Sequence, residues 1–146
     1  MLDWDLPSPF ILNYRVDPVH IDSLNHVNNA VYVGWCQEAG WAHSQALGLG
    51  IEEYRQLDTA MAIRHADYDY INAAYLNDDL QLGTWLSYCD GRLQLERGLA
   101  GLCRGRRRGR NLAATQHTTK QPRRRRWRRL VDLDRNFRRT LIGSTT

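Results

Sequence analysis

An α+β domain, an antiparallel sheet with one long helix lying on it, is predicted for this chain by three observations. A polar loop rich in Asp, Asn and His (residues 17–29) runs straight into a helix-patterned stretch that ends near Leu47. Stretches with the two-residue alternation of half-buried strands stand before and after that helix. Asp90-Gly91 joins two of them with a strong hairpin signal, which makes those two antiparallel neighbours.

The elements follow in order. Phe10, Leu12, Tyr14 and Val16 alternate with Ile11, Asn13, Arg15 and Asp17, so 10–17 is predicted as a first strand, preceded by Pro7 and Pro9 and closed by Pro18. Asn28 or Asn29 is the expected N-cap of the helix, because an Asn side chain accepts from a free backbone N–H one turn on. Val31, Trp35, Ala39, Ala42 and Ala46 recur at three- and four-residue spacing as one apolar stripe, interrupted by Gln37, Glu38, His43 and Ser44, and Gly48 and Gly50 stop the helix. IEEYRQL (51–57) reads as a short helix or turn. A longer strand is expected from Thr59 to about Ile71, anchored by Met61, Ile63, Tyr68 and Tyr70, with a bulge between His65 and Asp69 where the phase is irregular. Asn77-Asp78-Asp79 reads as a turn. Leu80 to Tyr88 is a strand with Leu80, Leu82, Thr84, Leu86 and Tyr88 on one side, and Arg92 to Arg97 returns with Leu93 and Leu95.

Charge divides the chain. Up to Arg97 five Arg face 14 acids, a net of −9; from Gly98 onward 14 Arg and Lys120 face Asp132 and Asp134, a net of +13. The strand pattern is lost at the same place, and Arg clusters stand at 106–108 and 123–126, with Trp127 beside the second. Two segments are therefore expected: 1–97 as the folded domain, lacking its last strands, and 98–146 as an Arg-rich tail. Three readings compete for that tail, namely a disordered basic arm, a nucleic-acid-binding arm and the product of a shifted reading frame. Cys36, Cys89 and Cys103 have neither metal-ligand spacing nor an even count, which suits a reducing cytoplasm. No stretch has signal-peptide or membrane-spanning character. No metal, cofactor, Gly-rich phosphate loop or Ser nucleophile elbow is expected.

Chemistry concentrates in the loop. Asp22, Asn25, His26, Asn28 and Asn29 fall within eight residues and lead into a helix N-terminus, whose free N–H groups and partial positive charge hold anions. Taken singly, Asp22 reads as a turn residue bonding its own backbone, His26 as a packed structural histidine and Glu38 as a solvated helix residue. A carboxylate beside an imidazole at such a terminus can also deprotonate water or replace it while the helix amides hold an oxyanion.

HIDSLNHVNNAVYVGWCQEA, with HVNN at 26–29, Tyr32, Trp35 and Asp22 four residues before His26, resembles the signature of the hotdog-fold thioesterases. The branch is the one holding 4-hydroxybenzoyl-CoA, long-chain acyl-CoA and plant acyl-ACP thioesterases. Asp67-Tyr68 and Asp79-Leu80 resemble the strand and turn that follow the family's helix, so the similarity covers about 10–97. It implies a hotdog fold, an antiparallel sheet wrapped around a long central helix, paired into a homodimer or homotetramer with the site at the dimer interface. It implies hydrolysis of an acyl-CoA, or an acyl-ACP, to a carboxylic acid and the free thiol. By position Asp22 would be general base or nucleophile and His26 would orient or polarise the thioester. The amides around Asn28, Asn29 and Ala30 would hold the oxyanion, with Asn25 and Tyr32 also on the substrate side. Some branches also use an acid on the helix, at a position that differs between subfamilies, and Glu38 is a weaker candidate for that role. One departure is plain: plant enzymes carry a catalytic Asn two residues after the Asp, and this chain has Leu24 there. The competing readings are a non-catalytic oligomeric scaffold whose basic tail binds nucleic acid, and a dehydratase acting on an acyl thioester.

Overall fold

The computed structural model describes residues 4–57, 59–89, 94–104 and 108–122. Strand β1 (Phe10–Arg15) leads through a 3-10 turn (Pro18–His20) to helix α1 (Asn29–Ala46) and short helix α2 (Ile51–Gln56). Strands β2 (Thr59–Tyr70), β3 (Asp79–Cys89), β4 (Gln94–Cys103) and β5 (Gly109–Pro122) follow. All five strands form one antiparallel sheet in the order β1-β3-β4-β5-β2. β1 pairs with β3 from Phe10 opposite Thr84 to Arg15 opposite Asp79. The expected α+β class, an antiparallel sheet with one long helix, is the one observed.

The described residues group into two compact units. The first is drawn from 1–40, 67–85 and 98–115. Its core sets Tyr32, Trp35, Cys36 and Ala39 of α1 against Leu80 and Leu82 of β3, Leu99 of β4 and Leu112 of β5. Each of these leucines contributes about 1.5–3 kcal/mol by leaving water. Of the expected stripe of α1, Trp35 and Ala39 are buried, joined by Tyr32 and Cys36, while Val31 and Ala42 are half-buried and Ala46 is exposed. Val16 and Val27, both buried, fasten the two ends of the loop that joins β1 to α1. Val16 exchanges backbone hydrogen bonds with Asp78 (3.0 Å) and Asn77 (3.0 Å), and Val27 N–H donates to the Ala74 carbonyl (2.9 Å).

The second unit is drawn from the described residues of 41–66, 86–97 and 116–122. Leu49, Tyr54 and Leu95 form its core, with Leu57, Met61, Leu86 and Cys89 packed against it. Ser44 and Tyr54 share a hydrogen bond of 3.3 Å. The buried Arg97 guanidinium donates to His43 Nδ1 at 2.7 Å, so His43 presents a lone pair there and is neutral. Burial, and then the Arg97 charge, bring His43 down to about 4, and burial brings Arg97 to about 10.

Gly48 ends α1 in the left-handed region (φ +85°), a conformation glycine adopts without steric cost. Along β2 the inward side changes: Met61 packs in the second unit and Tyr68 in the first, although they differ in parity. Ile63, Tyr70 and Tyr88, expected as inward anchors, are exposed. The Asp90-Gly91 turn lies outside the described residues; the strands flanking it are sheet neighbours.

The expected loss of strand structure at Gly98 is corrected by β4, which runs through that point to Cys103, and by β5 beyond it. The last strands that segment 1–97 lacks, the remainder of β4 and all of β5, are supplied by residues 98–122 of the segment read as a tail. From Arg97 to Cys103 every β4 residue is buried, so the sequence shows a continuous run of small and apolar residues without alternation. In β5 the polar Gln116 shares the buried row of Leu112 and Ala114, and Asn111, of the other parity, is buried as well, which disguises the inward face. The second Arg cluster, Trp127 and the rest of the chain to 146 lie outside the described residues.

Candidate active site

The loop between β1 and α1 is closed by an isolated antiparallel bridge between Ile21 and Val27. Asp22 N–H donates to the His26 carbonyl (3.0 Å), and Asn25 N–H donates to the Asp22 carbonyl (3.1 Å). Asn25 makes the reversal at φ +63°, a left-handed position that Asn tolerates better than most residues. Asp22 and His26 therefore come side by side because the chain turns back on itself over four residues.

One Asp22 oxygen, Oδ1, accepts from Leu24 N–H at 2.8 Å, which fixes the carboxylate. The other, Oδ2, stands 3.7 Å from His26 Nδ1. That is too long for a hydrogen bond and short enough for the two groups to feel each other's charge. The side chains are 24% and 32% exposed respectively, sheltered but reached by solvent.

The start of α1 adjoins this pair in sequence. Asn28 is the N-cap: its Oδ1 accepts from Ala30 N–H at 2.9 Å, and its carbonyl accepts from Val31 N–H. Asn28 N–H itself donates to the His20 carbonyl at 2.9 Å. The expected group of free amides from Asn28 to Ala30 is thereby reduced, since the cap uses one and the loop another. Among the described residues Asn29 N–H is the amide of the three without a hydrogen-bond partner.

Glu38 lies nine residues into the helix, about 13 Å along its axis from Asn29. It is not brought to Asp22 and His26 within the chain; its Oε2 accepts from Tyr14 Oη–H at 2.9 Å. Burial, then that bond to Glu38, hold the Tyr14 phenol well above the ordinary tyrosine range, so it remains a donor. Tyr14 stacks on Trp35 at 4.8 Å, and His20 meets the same indole edge-on at 5.0 Å. Tyr32 is inside the core, edge-on to Trp35 at 5.6 Å, with burial pushing it up to about 12. Cys36 is likewise raised to about 12 by burial.

Sequence reasoning did not single out Tyr14, His20 or Asn111. Tyr14 reads as one more inward strand residue, and His20 gives no spacing signal until its Nδ1 is seen accepting from Asp17 N–H at 2.9 Å. Asn111 belongs to the part of the chain that lacked strand pattern. It pins 71–73, donating from Nδ2 to the carbonyls of Asn72 (3.0 Å) and Ala73 (3.3 Å) and accepting from Ile71 N–H (2.8 Å). Among the described residues no group of three or more His, Cys, Asp or Glu is arranged to hold a metal ion, and no helix is long and apolar enough to cross a membrane.

Known proteins give the arrangement its context. The 1,4-dihydroxy-2-naphthoyl-CoA thioesterase of Synechocystis superposes with a TM-score of 0.78 at 14% identity, over 95% of this chain and 99% of that one. A Staphylococcus aureus hypothetical protein solved with CoA gives 0.78 at 13% identity, over 93% and 83%. The DHNA-CoA thioesterase of the same organism gives 0.78 at 11% identity, over 92% of each chain. At these identities the likeness shows the hotdog fold. No curated protein sequence matches the chain. The model of the thioesterase-like superfamily matches residues 16–97, which hold the loop, all of α1 and the first three strands after β1 as far as Arg97. By that match the chain belongs to the thioesterase-like superfamily of hotdog proteins.

Proposed function

We propose that this protein is an acyl-CoA thioesterase, hydrolysing an acyl-CoA to a free carboxylic acid and CoA. The observation that supports it best is the Asp22 carboxylate, fixed through one oxygen, with its other oxygen beside His26 just before a helix whose Asn29 N–H is unused. In this reading Asp22 Oδ2 takes a proton from water as the water oxygen bonds to the thioester carbon. The carbonyl oxygen becomes an oxyanion, held by Asn29 N–H and the helix N-terminus. The C–S bond then breaks and the CoA thiolate leaves. Alternatively Asp22 attacks first and forms an anhydride that water hydrolyses. His26 orients the thioester in both routes.

Asn25 shapes the turn that carries Asp22, and Asn28 sets the helix start. Glu38, distant within the chain, takes part only if a second copy brings it to the Asp22 site. A homodimer or tetramer suits this protein for that reason, and also because Val19 and Leu24, 85% and 72% exposed, stand on the catalytic loop. An acyl carrier protein is an alternative carrier, and the free cysteines accord with a cytoplasmic location. The Synechocystis enzyme is named for an aryl-CoA thioester, so aryl and alkyl substrates both belong in the test.

The test is mass-spectrometric analysis of products from such a panel. Free acid and CoA in equal amounts are expected. A product heavier by one water and still bound to CoA would replace hydrolysis with hydration. After a single turnover in H₂18O, label in Asp22 marks the anhydride route with water attacking the Asp22 carbon, whereas label in the product acid alone is the outcome of direct attack on the substrate carbon.

A further inference from the structure

In the first unit, between α1 and the sheet, lies an apolar cavity of about 10 Å³ lined by Tyr14, Tyr32, Trp35, Leu82, Asn111 and Leu112. This is about the room one water-sized group requires. Two groups of its lining residues are left open among the described residues: Asn111 Oδ1 accepts from nothing, and the Tyr32 Oη–H proton is donated to nothing, since the backbone group that bears on that phenol, at Ala74, favours its oxygen as an acceptor. Both belong to residues withdrawn from solvent, 5% and 2% exposed. Buried polar atoms are nearly always paired, so two bare ones at one cavity point to an absent third group.

The chemistry of that group is constrained. Asn111 cannot turn its amide over without losing the bonds from Nδ2 to Asn72 and Ala73, so Oδ1 is the atom it offers, and Oδ1 only accepts. Tyr32 keeps its proton and donates. The guest must therefore accept from one side and donate to the other. A carbonyl could not donate, and an ion would meet Trp35, Leu82 and Leu112 without a countercharge. We infer that the cavity is a binding site for a single hydroxyl group, which accepts from Tyr32 Oη–H and donates to Asn111 Oδ1. The hydroxyl is supplied either by an ordered water or by the acyl part of the substrate. The second source rests on the thioesterase reading and makes Tyr32 and Asn111 determinants of acyl-group specificity.

Two measurements test this together: kinetics on matched acyl-CoA pairs that differ by one hydroxyl on the acyl group, and a high-resolution crystal structure of the ligand-free protein. If the substrate supplies the hydroxyl, kcat/KM favours a hydroxylated member by about tenfold or more, and Tyr32→Phe brings that ratio close to one. If water supplies it, the pairs are turned over alike and density shows a water between Tyr32 and Asn111. A dry cavity with no discrimination in any pair overturns the inference. Should Tyr32→Phe fail to fold, wild-type discrimination and the cavity density still decide it. Should no thioester be hydrolysed, the catalytic reading falls, and the density alone decides the site.

Discussion

Asp22 and Asn28 each occupy one hydrogen-bonding group to hold another in place. Asp22 uses Oδ1 on Leu24 N–H and keeps Oδ2 toward His26; Asn28 uses its side chain on Ala30 N–H, which leaves Asn29 N–H for a ligand. At the same scale, His43 carries a pH dependence of stability. Its lowered folded value, about 4 against 6.5, means that the unfolded chain takes up a proton before the folded one does. That contribution is fully present above pH 6.5 and is lost as pH falls toward 4. Since His43 is only partly buried, the loss is discounted for solvent screening to about 2 kcal/mol. Urea unfolding at pH 7 and pH 4.5 measures it. A His43→Gln variant, which keeps a neutral acceptor for Arg97, removes this part of the difference; an unchanged pH slope in that variant would assign the effect elsewhere.

Among the elements, α1 and the first strands were legible because each carries a single period. The alternation of Phe10, Leu12, Tyr14 and Val16 matches their observed inward burial, and Asn28 and Gly48 mark the helix ends in the way their chemistry favours. β4 and β5 were illegible for a physical reason. From Arg97 on, β4 is buried on both faces and has no alternation to read, and Gly98-Leu99-Ala100-Gly101 looks like loop composition until Trp85 is found lying on Gly98, while in β5 the buried row of Leu112, Ala114 and Gln116 includes a polar residue. A Cβ on Gly98 would come within 2.5 Å of the Trp85 Nε1. Gly98→Ala should accordingly cost about 1–3 kcal/mol, read as a lowered denaturation midpoint with an unchanged slope. Unaltered stability would mean that the indole moves aside freely. Of the candidate site, the Asp22 and His26 pairing followed from the resemblance and the loop composition. The cavity and Asn111 did not, because both depend on which residue of β5 faces the helix.

For the whole molecule, the family match and the fold agree on a hotdog protein of the thioesterase-like superfamily, and in the proposed function the loop before α1 supplies a carboxylate, an imidazole and an amide donor. The most direct test is release of free thiol from a panel of alkyl and aryl acyl-CoA thioesters by the full chain, compared with Asp22→Asn. That substitution keeps the shape of the side chain and the acceptor for Leu24 N–H while removing the base. Turnover by the wild-type protein that falls by about 100-fold or more in Asp22→Asn is expected. Turnover that survives the substitution in a folded variant would contradict the assignment of the chemistry to Asp22.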